Sequence, residues 1–330
     1  MTTPMTKRAR LEAVFAKQPV DRPPVALWRH WPVDDQYGHH LARATLDFQQ
    51  TFDFDFIKVT PSSNYCVAGY GADSAYEGNQ EGTRSWGPRL IQTPDDWLKL
   101  KPLDPRQGLL GEVLQANDAI GQTVGETVPF IQTIFNPLSQ AKNLAGKEQL
   151  IAHLRQYPDA VQTGLATITE SIVRFVEALK PTGAAGIFLA IQHATYNLLT
   201  EAEYRQFGEP LDRQILAATD GMWFNLIHLH GVNVMFDLVA QYPAQALNWH
   251  DVETPPSLAE AAPRTKMAMC GGLRQWETMV SGTPADVTAE ANTAIEATGG
   301  QGFILGTGCV TPITTPTCNI LATRKAVEAN

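Results

Sequence analysis

The sequence predicts an α/β protein, built as a single (β/α)8 TIM barrel with an N-terminal helix and a long loop after the second strand. Short β-rich apolar runs alternate with longer amphipathic helical patterns along the 330 residues. This alternation implies right-handed crossovers and a parallel sheet. Eight strand–helix units in a chain of this length fit a closed barrel. The first strand also lacks the glycine-rich loop that usually marks a doubly wound sheet.

The predicted elements follow one another without an obvious linker, so residues 1–330 are expected to form a single domain. An opening helix over 5–18 precedes eight strands: Pro24–Trp28, Phe54–Thr60, Thr127–Phe135, Gly186–Gln192, Phe224–His230, Ala244–Trp249, Lys266–Gly271 and Gly302–Gly306. The intervening patterns predict helices over Leu41–Phe52, Leu109–Ile120, Pro158–Leu179, Glu201–Asp220, Val232–Gln241, Ser257–Ala262, Pro284–Ala297 and Pro316–Glu328.

The segment over 61–105 interrupts this rhythm. It is rich in Gly, Ser, Asn and aromatic residues and is too long for an ordinary connection. Insertions of this kind after a barrel strand commonly cover or bind substrate. The alternative is an excursion that only packs on the rim of the barrel.

The amino-acid composition limits which macromolecules the protein is expected to bind. With 25 Lys plus Arg against 34 Asp plus Glu, the net charge is −9, which disfavours nucleic acid and anionic membranes. No apolar run approaches the ~20 residues of a membrane span, and the first ten residues do not resemble a signal peptide. We therefore expect a cytoplasmic protein whose four cysteines are reduced.

Polar residues gather at the C-terminal ends of the predicted strands, where barrel enzymes place their active sites. Five of the eight histidines lie there, together with an arginine, a tyrosine, an asparagine and a cysteine. The candidate substrate-binding residues are Arg29, His30, Tyr65, Asn136 and His193, and the candidate catalytic residues are His228, His230, His250 and Cys309.

His228 and His230 form an HxH pair on the fifth strand, so both rings face the same side. Two neutral imidazoles on one face commonly share a metal ion. Hydrogen-bonding or acid–base histidines, and structural histidines, remain alternatives. Cys309, just after the eighth strand, is either a third ligand or a small buried thiol. Arg29 either holds a substrate carboxylate or pairs with Asp34 or Asp35.

Three motifs resemble the uroporphyrinogen decarboxylase superfamily. Residues 22–29 (RPPVALWR) resemble its N-terminal signature, 52–57 (FDFDFI) its second strand, and 302–316 (GFILGTGCVTPITTP) its last strand. The resemblance spans nearly the whole chain and implies a barrel. It also implies one of two chemistries: cofactor-free decarboxylation by a homodimer, or zinc-dependent methyl transfer between a corrinoid and a thiol.

The departures from these patterns favour the methyltransferase branch. The second arginine of the decarboxylases is replaced by Val33, the loop after the second strand has no Asp, and Cys309 stands where their histidine is expected. In the methyltransferase branch, zinc is held by an HxC motif and a later cysteine. Here His228, His230 and Cys309 occupy those positions, so the resemblance implies a zinc site with one thiolate fewer.

The leading hypothesis is metal-assisted group transfer, with His228, His230 and Cys309 as zinc ligands and a small-molecule substrate, a corrinoid or a corrinoid protein as partner. Arg29 would hold an acidic group of the substrate. Decarboxylation of uroporphyrinogen or a related polycarboxylate without a cofactor is the alternative. A tetrapyrrole- or corrinoid-binding barrel without catalysis is the third hypothesis.

Overall fold

The computed structural model describes residues 4–328, whose central feature is a parallel sheet of seven strands. Neighbouring strands in the sheet follow one another along the chain, as expected when each crossover returns beside the strand it left. The strands are Ile57–Val59 (β1), Phe130–Phe135 (β4), Gly186–Ile191 (β5), Leu226–Leu229 (β6), Ala246–Trp249 (β7), Ala268–Leu273 (β8) and Phe303–Thr307 (β9).

The chain before β1 brings the two edges of this sheet together. Val25 forms a parallel bridge with Leu305 of β9, and its carbonyl accepts a hydrogen bond from the Asp55 amide at 2.9 Å. The predicted strand over Pro24–Trp28 is therefore an extended segment with a single bridge. Pro23 and Pro24 have no N–H to donate, which limits ladder pairing there. The arrangement is that of a parallel α/β sheet curled toward a TIM-like barrel.

A buried ion-pair network fixes this N-terminal segment. Asp55 is fully buried, and its carboxylate accepts from Arg10 and Arg22, both at 2.7 Å, and from the Val25 amide at 2.8 Å. Arg10 also pairs with Asp21 at 2.7 Å. The arginine of the RPPV motif therefore has a structural partner, which connects the first helix, the 22–25 segment and the residues before β1.

Helices cover the outside of the sheet, and their apolar faces join one cluster of buried residues. They are Lys7–Phe15 (α1), Gly38–Phe52 (α2), Pro94–Trp97 (α3), Gly108–Val124 (α4), Pro137–Ala145 (α5), Lys147–Gln156 (α6), Pro158–Leu179 (α7), Glu201–Phe207 (α8), Glu209–Ala218 (α9), Phe236–Val239 (α10), Leu258–Ala261 (α11), Pro284–Thr298 (α12) and Thr317–Ala326 (α13). Short 3-10 turns occur at Asp34–Gln36, Ala68–Tyr70 and Lys180–Thr182.

The helices differ from the sequence prediction in several places. The helix expected over Val232–Gln241 is limited to α10, and α3 was not predicted. The single helix expected over Glu201–Asp220 is divided into α8 and α9 at Gly208, with Pro210 in the first turn of α9. Helices α5 and α6 were not predicted, although Asn136 caps α5 and Pro137 begins it, a sequence signal of a helix start. Gly146, at a φ of 87°, separates the two helices.

The insertion over 61–105 contains a two-stranded antiparallel hairpin, Ser74–Ala75 (β2) with Ser85–Trp86 (β3), followed by α3. The connection between β2 and β3 is held near the last strand, because Gln80 accepts a hydrogen bond from the Ile313 amide at 2.9 Å. Within the described range, 4–328, no helix is long and apolar enough to cross a membrane.

Candidate metal centre

A cavity opens at the C-terminal ends of the parallel strands, the edge where the sequence predicts the site. Its walls combine aromatic, polar and ionisable side chains: Trp28, His30, Lys58, Thr60, Ser63, Glu81, Thr83, Thr133, Phe135, Phe188, Ala190, Gln192, His228, His230, Cys309 and Val310. Glu81 and Thr83 belong to the 61–105 insertion, which therefore contributes to the cavity wall.

His228 lies on β6, is buried, and stacks on Phe188 of β5 with ring centroids 5.4 Å apart. Its Nδ1 is 2.6 Å from Oδ1 of Asn248 on the next strand, β7. The Asn248 amide group donates to the carbonyls of Cys270 at 2.8 Å and Thr307 at 3.0 Å. Its oxygen must therefore face His228, so the ring carries its proton on Nδ1 and keeps a lone pair on Nε2.

His250, just beyond β7, is arranged in the same way. Its Nδ1 lies 3.0 Å from a carboxylate oxygen of Glu253, an acceptor that requires a proton on Nδ1. Nε2 is buried and has no hydrogen-bond partner within residues 4–328. A buried nitrogen that lacks a partner costs free energy unless something outside the chain satisfies it.

Cys309 completes the cluster. Its Sγ is 3.7 Å from His228 Nε2 and 3.7 Å from His230 Nδ1. One donor atom from each of His228, His230, His250 and Cys309 lies within 4.8 Å of all the others. Burial raises the pKa of the Cys309 thiol to about 12 and lowers the pKa of His228 well below its usual value. Without a cation, the two groups are therefore neutral at pH 7.

The spacing of Cys309 from His228 and His230 fits a tetrahedral ion. Zn–S bonds of about 2.3 Å and Zn–N bonds of about 2.0–2.1 Å at a tetrahedral angle separate the sulfur and nitrogen ligands by roughly 3.6 Å. The two separations of 3.7 Å agree with that spacing. A single S–H proton could not serve both His228 and His230, and it would leave His250 Nε2 without a partner. Three imidazoles and a thiol are also ligands that suit zinc.

Lys58, in the middle of β1, is a cavity residue that the sequence reasoning missed. The side chain is buried, with Nζ 4.4 Å from the centroid of the Phe188 ring. Burial lowers its pKa to about 7, and the nearby Cys309 opposes that shift. Lysine within an apolar strand is a usable sequence signal, but only the fold shows that Lys58 faces the cavity.

Of the predicted substrate-binding residues, only His30 lines the cavity in the described part of the chain. Burial lowers the pKa of His30 to about 3, so its ring is neutral. Arg29 lies behind the cavity wall, with its guanidinium 4.9 Å from the centroid of the Trp31 ring. It forms no ion pair with Asp34 or Asp35 within residues 4–328.

The other three predicted substrate-binding residues do not line the cavity in the described part of the chain. The Tyr65 hydroxyl donates to the Thr133 carbonyl at 2.7 Å, and the ring packs against Phe175. Asn136 caps α5 and donates to Asp212 at 2.9 Å. His193 is fully buried with both ring nitrogens unpartnered in the range 4–328, and burial lowers its pKa to about 3.

The fold and the cluster define a barrel-type α/β protein with a candidate metal centre at the C-terminal ends of its strands. The chain belongs to the uroporphyrinogen decarboxylase family, whose model, described as Uroporphyrinogen decarboxylase (URO-D), matches residues 36–329.

Similar proteins of known activity include methyltransferases. The methylcobamide:CoM methyltransferase MtbA of Methanosarcina acetivorans is 22% identical over 340 residues, covering 99% of this chain and 98% of that protein. The methylcobamide:CoM methyltransferase MtaA of Methanosarcina barkeri is 22% identical over 339 residues, covering 96% of each chain.

A solved structure shares the fold. A methyltransferase from Methanosarcina mazei superimposes with a TM-score of 0.83 at 20% identity, covering 98% of this chain and 99% of that one.

Proposed function

We propose that this protein is a zinc-dependent methyltransferase that transfers a methyl group from a corrinoid-type donor to a small-molecule thiol. The observation that carries the proposal is the convergence of His228, His230, His250 and Cys309 beside one cavity, with one donor atom from each within 4.8 Å of the rest. The activity of the similar methyltransferases supports the choice of reaction.

Zinc held by these four residues would act as a Lewis acid that favours the thiolate form of the acceptor. Hydrogen bonds within the chain fix the orientation and the protonated nitrogen of two of these ligands. Asn248 and Glu253 hold the Nδ1–H groups of His228 and His250, which leaves Nε2 of each ring free. The apolar faces of Trp28 and Phe188 line the cavity beside this cluster and limit its hydration. In the overall step the bond between the methyl group and the cobalt of the corrinoid donor would break, with its electron pair left on the cobalt. A methyl–sulfur bond would form, and the thiol would lose its proton.

The ligand set determines the charge of the centre. Three neutral imidazoles and one thiolate leave a divalent ion with one net positive charge, whereas an HxC motif with a second cysteine would leave it neutral. This centre would withdraw more electron density from an acceptor thiol and would attract an anionic ligand more strongly. We therefore expect tight binding of an acidic substrate and slower thiol alkylation than a two-thiolate site supports.

Several expectations from the sequence belong to this proposal. We propose that the chain acts as one domain whose sheet closes into an eight-unit barrel. The single cluster of buried residues from α1 to α13 and the bridge between Val25 and β9 support this proposal. A homodimer, and a corrinoid or corrinoid protein as partner, remain predictions.

Thiol methylation by the zinc-loaded protein, with methylcobalamin as donor, tests the proposal. We expect turnover by the wild type, loss of turnover in His228→Ala, and unchanged turnover in His40→Ala, which removes an exposed imidazole on α2. Carbon dioxide release from uroporphyrinogen, with no zinc requirement, would instead support the decarboxylase alternative. Tight corrinoid binding without turnover in either assay would support a binding protein.

A further inference from the structure

Lys58 is a buried ammonium group for which the fold supplies almost no compensation. Among residues 4–328, its three donor hydrogens have one acceptor within hydrogen-bonding distance, the Thr60 hydroxyl at 3.3 Å. The remaining neighbours are aromatic faces, with Nζ 4.4 Å from the Phe188 ring centroid and 5.7 Å from that of Trp28. No ion pair of Lys58 occurs within residues 4–328.

Three of the other lysines have an acidic partner. Lys7 pairs with Asp53 at 2.5 Å, Lys99 with Asp96 at 2.7 Å, and Lys180 with Glu177 at 2.9 Å. Burying a charge without a counter-ion is costly, and the lowered pKa of Lys58, about 7, reflects that cost. If this side chain served only to fill space, a methionine of similar length could be buried at a lower cost in free energy.

The position of Lys58 shows where a counter-ion could come from. Its side chain lines the same cavity as His228, His230 and Cys309. The carboxylate of that wall, Glu81, lies on the insertion and accepts a hydrogen bond from Gln275 at 3.1 Å. A molecule that enters the cavity can therefore reach the metal-ligand cluster and the ammonium group at once.

We propose that Lys58 is the anion-binding residue of the cavity and holds a carboxylate, sulfonate or phosphate group of the substrate while the reacting end lies at the His/Cys cluster. The assignment of the reacting end rests on the proposed function. The anion site itself follows from the placement of Lys58. It replaces Arg29 in that role, because Arg29 packs on Trp31 outside the cavity wall.

The charge of the cluster strengthens this assignment. A divalent ion with one thiolate, together with Lys58, gives two positive charges around one cavity, against the single negative charge of Glu81 in its wall. Electrostatic interactions are stronger there than in bulk water. A substrate that brings an acidic group to Lys58 and a thiolate to the cluster would neutralise both charges.

Binding of two matched thiols tests the proposal. Calorimetry on zinc-loaded and zinc-free protein would compare 3-mercaptopropionate with propane-1-thiol, which lacks the carboxylate. We expect the wild type to bind the acid at least tenfold more tightly, Lys58→Met to lose that preference, and Lys58→Arg to retain part of it. Arg29→Gln and Lys17→Met should leave it unchanged, since Lys17 donates to the Thr265 carbonyl away from the cavity.

Thermal unfolding without ligand provides the second measurement. Lys58→Met should melt at a higher temperature than the wild type, because it removes an uncompensated buried charge, whereas loss of a purely structural lysine would lower the melting temperature. The proposal is overturned if the wild type binds the two thiols equally or binds neither of them. It is also overturned if Lys58→Met still prefers 3-mercaptopropionate to propane-1-thiol.

The two proposals can fail separately. If the wild type binds no zinc but the zinc-free protein prefers the acid through Lys58, the anion site stands and the metal proposal fails. If zinc binds equally to the wild type and Lys58→Met and both bind the two thiols equally, the metal proposal stands and the anion site is wrong.

Discussion

Asn248 Oδ1 lies 2.6 Å from Nδ1 of His228, and this contact determines which nitrogen of the ring carries the proton. The two residues are direct neighbours in the register of β6 and β7. Because the NH2 group of the Asn248 side chain donates to two backbone carbonyls, the amide cannot rotate by 180° without losing both hydrogen bonds. The lone pair on His228 Nε2 is thereby kept toward Cys309.

Asn248→Ala should weaken zinc binding by about 10–100-fold, the usual cost of losing an outer hydrogen-bond partner of a metal-binding histidine. Competition with a chromophoric chelator measures this affinity. Asn225→Ala is the matched control, because Asn225 is also buried and hydrogen-bonded, to the Ile187 amide and the Thr219 hydroxyl. Equal zinc affinity in the Asn248 variant and the wild type would contradict the role given to this contact.

A second prediction concerns His250, which is assigned to the metal centre because its ring nitrogen lies close to the donor atoms of the other three residues. His250→Ala should reduce zinc affinity by more than the about 10–100-fold expected for an outer partner. His153→Ala removes another buried imidazole, which accepts a hydrogen bond from Trp97 and lies outside the four-residue cluster, so its zinc affinity should match the wild type. If the two variants lose affinity equally, His250 is not a specific ligand.

Asp55 provides a prediction about stability. Asp55→Asn removes the shared counter-ion of two arginines and should lower the free energy of unfolding by about 3–5 kcal/mol, as expected when one member of a buried ion pair is lost. Urea unfolding measures this change. Asp53→Asn is the control, since its carboxylate is 63% exposed and pairs with Lys7, and it should cost about 1 kcal/mol or less.

Asp212 should make stability depend on pH. Burial raises its pKa to about 7, even though the hydroxyls of Tyr204 and Tyr242 and the amide of Asn136 donate to it. Between the unfolded pKa of about 4 and the folded pKa of about 7, the folded state binds more protons. Stability therefore rises as pH falls through this window.

The comparison with Asp212→Asn isolates this effect, since the variant cannot titrate at that position. The stability of the wild type relative to the variant should increase as pH falls from about 7 to about 4, and urea unfolding at several pH values measures it. If the difference in the free energy of unfolding between the two proteins stayed constant across that pH range, Asp212 would not be the source of the pH dependence.

Residues whose position follows from periodicity could be predicted from the sequence. Helix α7 occupies Pro158–Leu179, as the apolar pattern and Pro158 at its start indicate, and β5 occupies Gly186–Ile191. Strand alternation placed His228 and His230 on one face, although β6 ends at Leu229 and His230 lies one residue beyond it. Their ring centroids are 5.7 Å apart.

Residues whose position depends on tertiary packing could not be predicted in this way. Tyr65 and Asn136 follow strands, yet their side chains turn away from the cavity to hydrogen-bond partners in neighbouring elements. Asn248 becomes a partner of His228 only through the β6–β7 register. Lys58 faces the cavity only because the sheet curls around it, and strand alternation alone does not say which face points inward.

The most direct test of the metal centre is cobalt substitution of the purified protein. The account predicts one tightly bound ion per chain, a thiolate-to-cobalt charge-transfer absorption in the near ultraviolet, and loss of that absorption in Cys309→Ser. Cys318→Ser, which removes an exposed thiol, should keep it. Absence of a stoichiometric ion, or an absorption that persists without Cys309, would contradict the centre formed by His228, His230, His250 and Cys309.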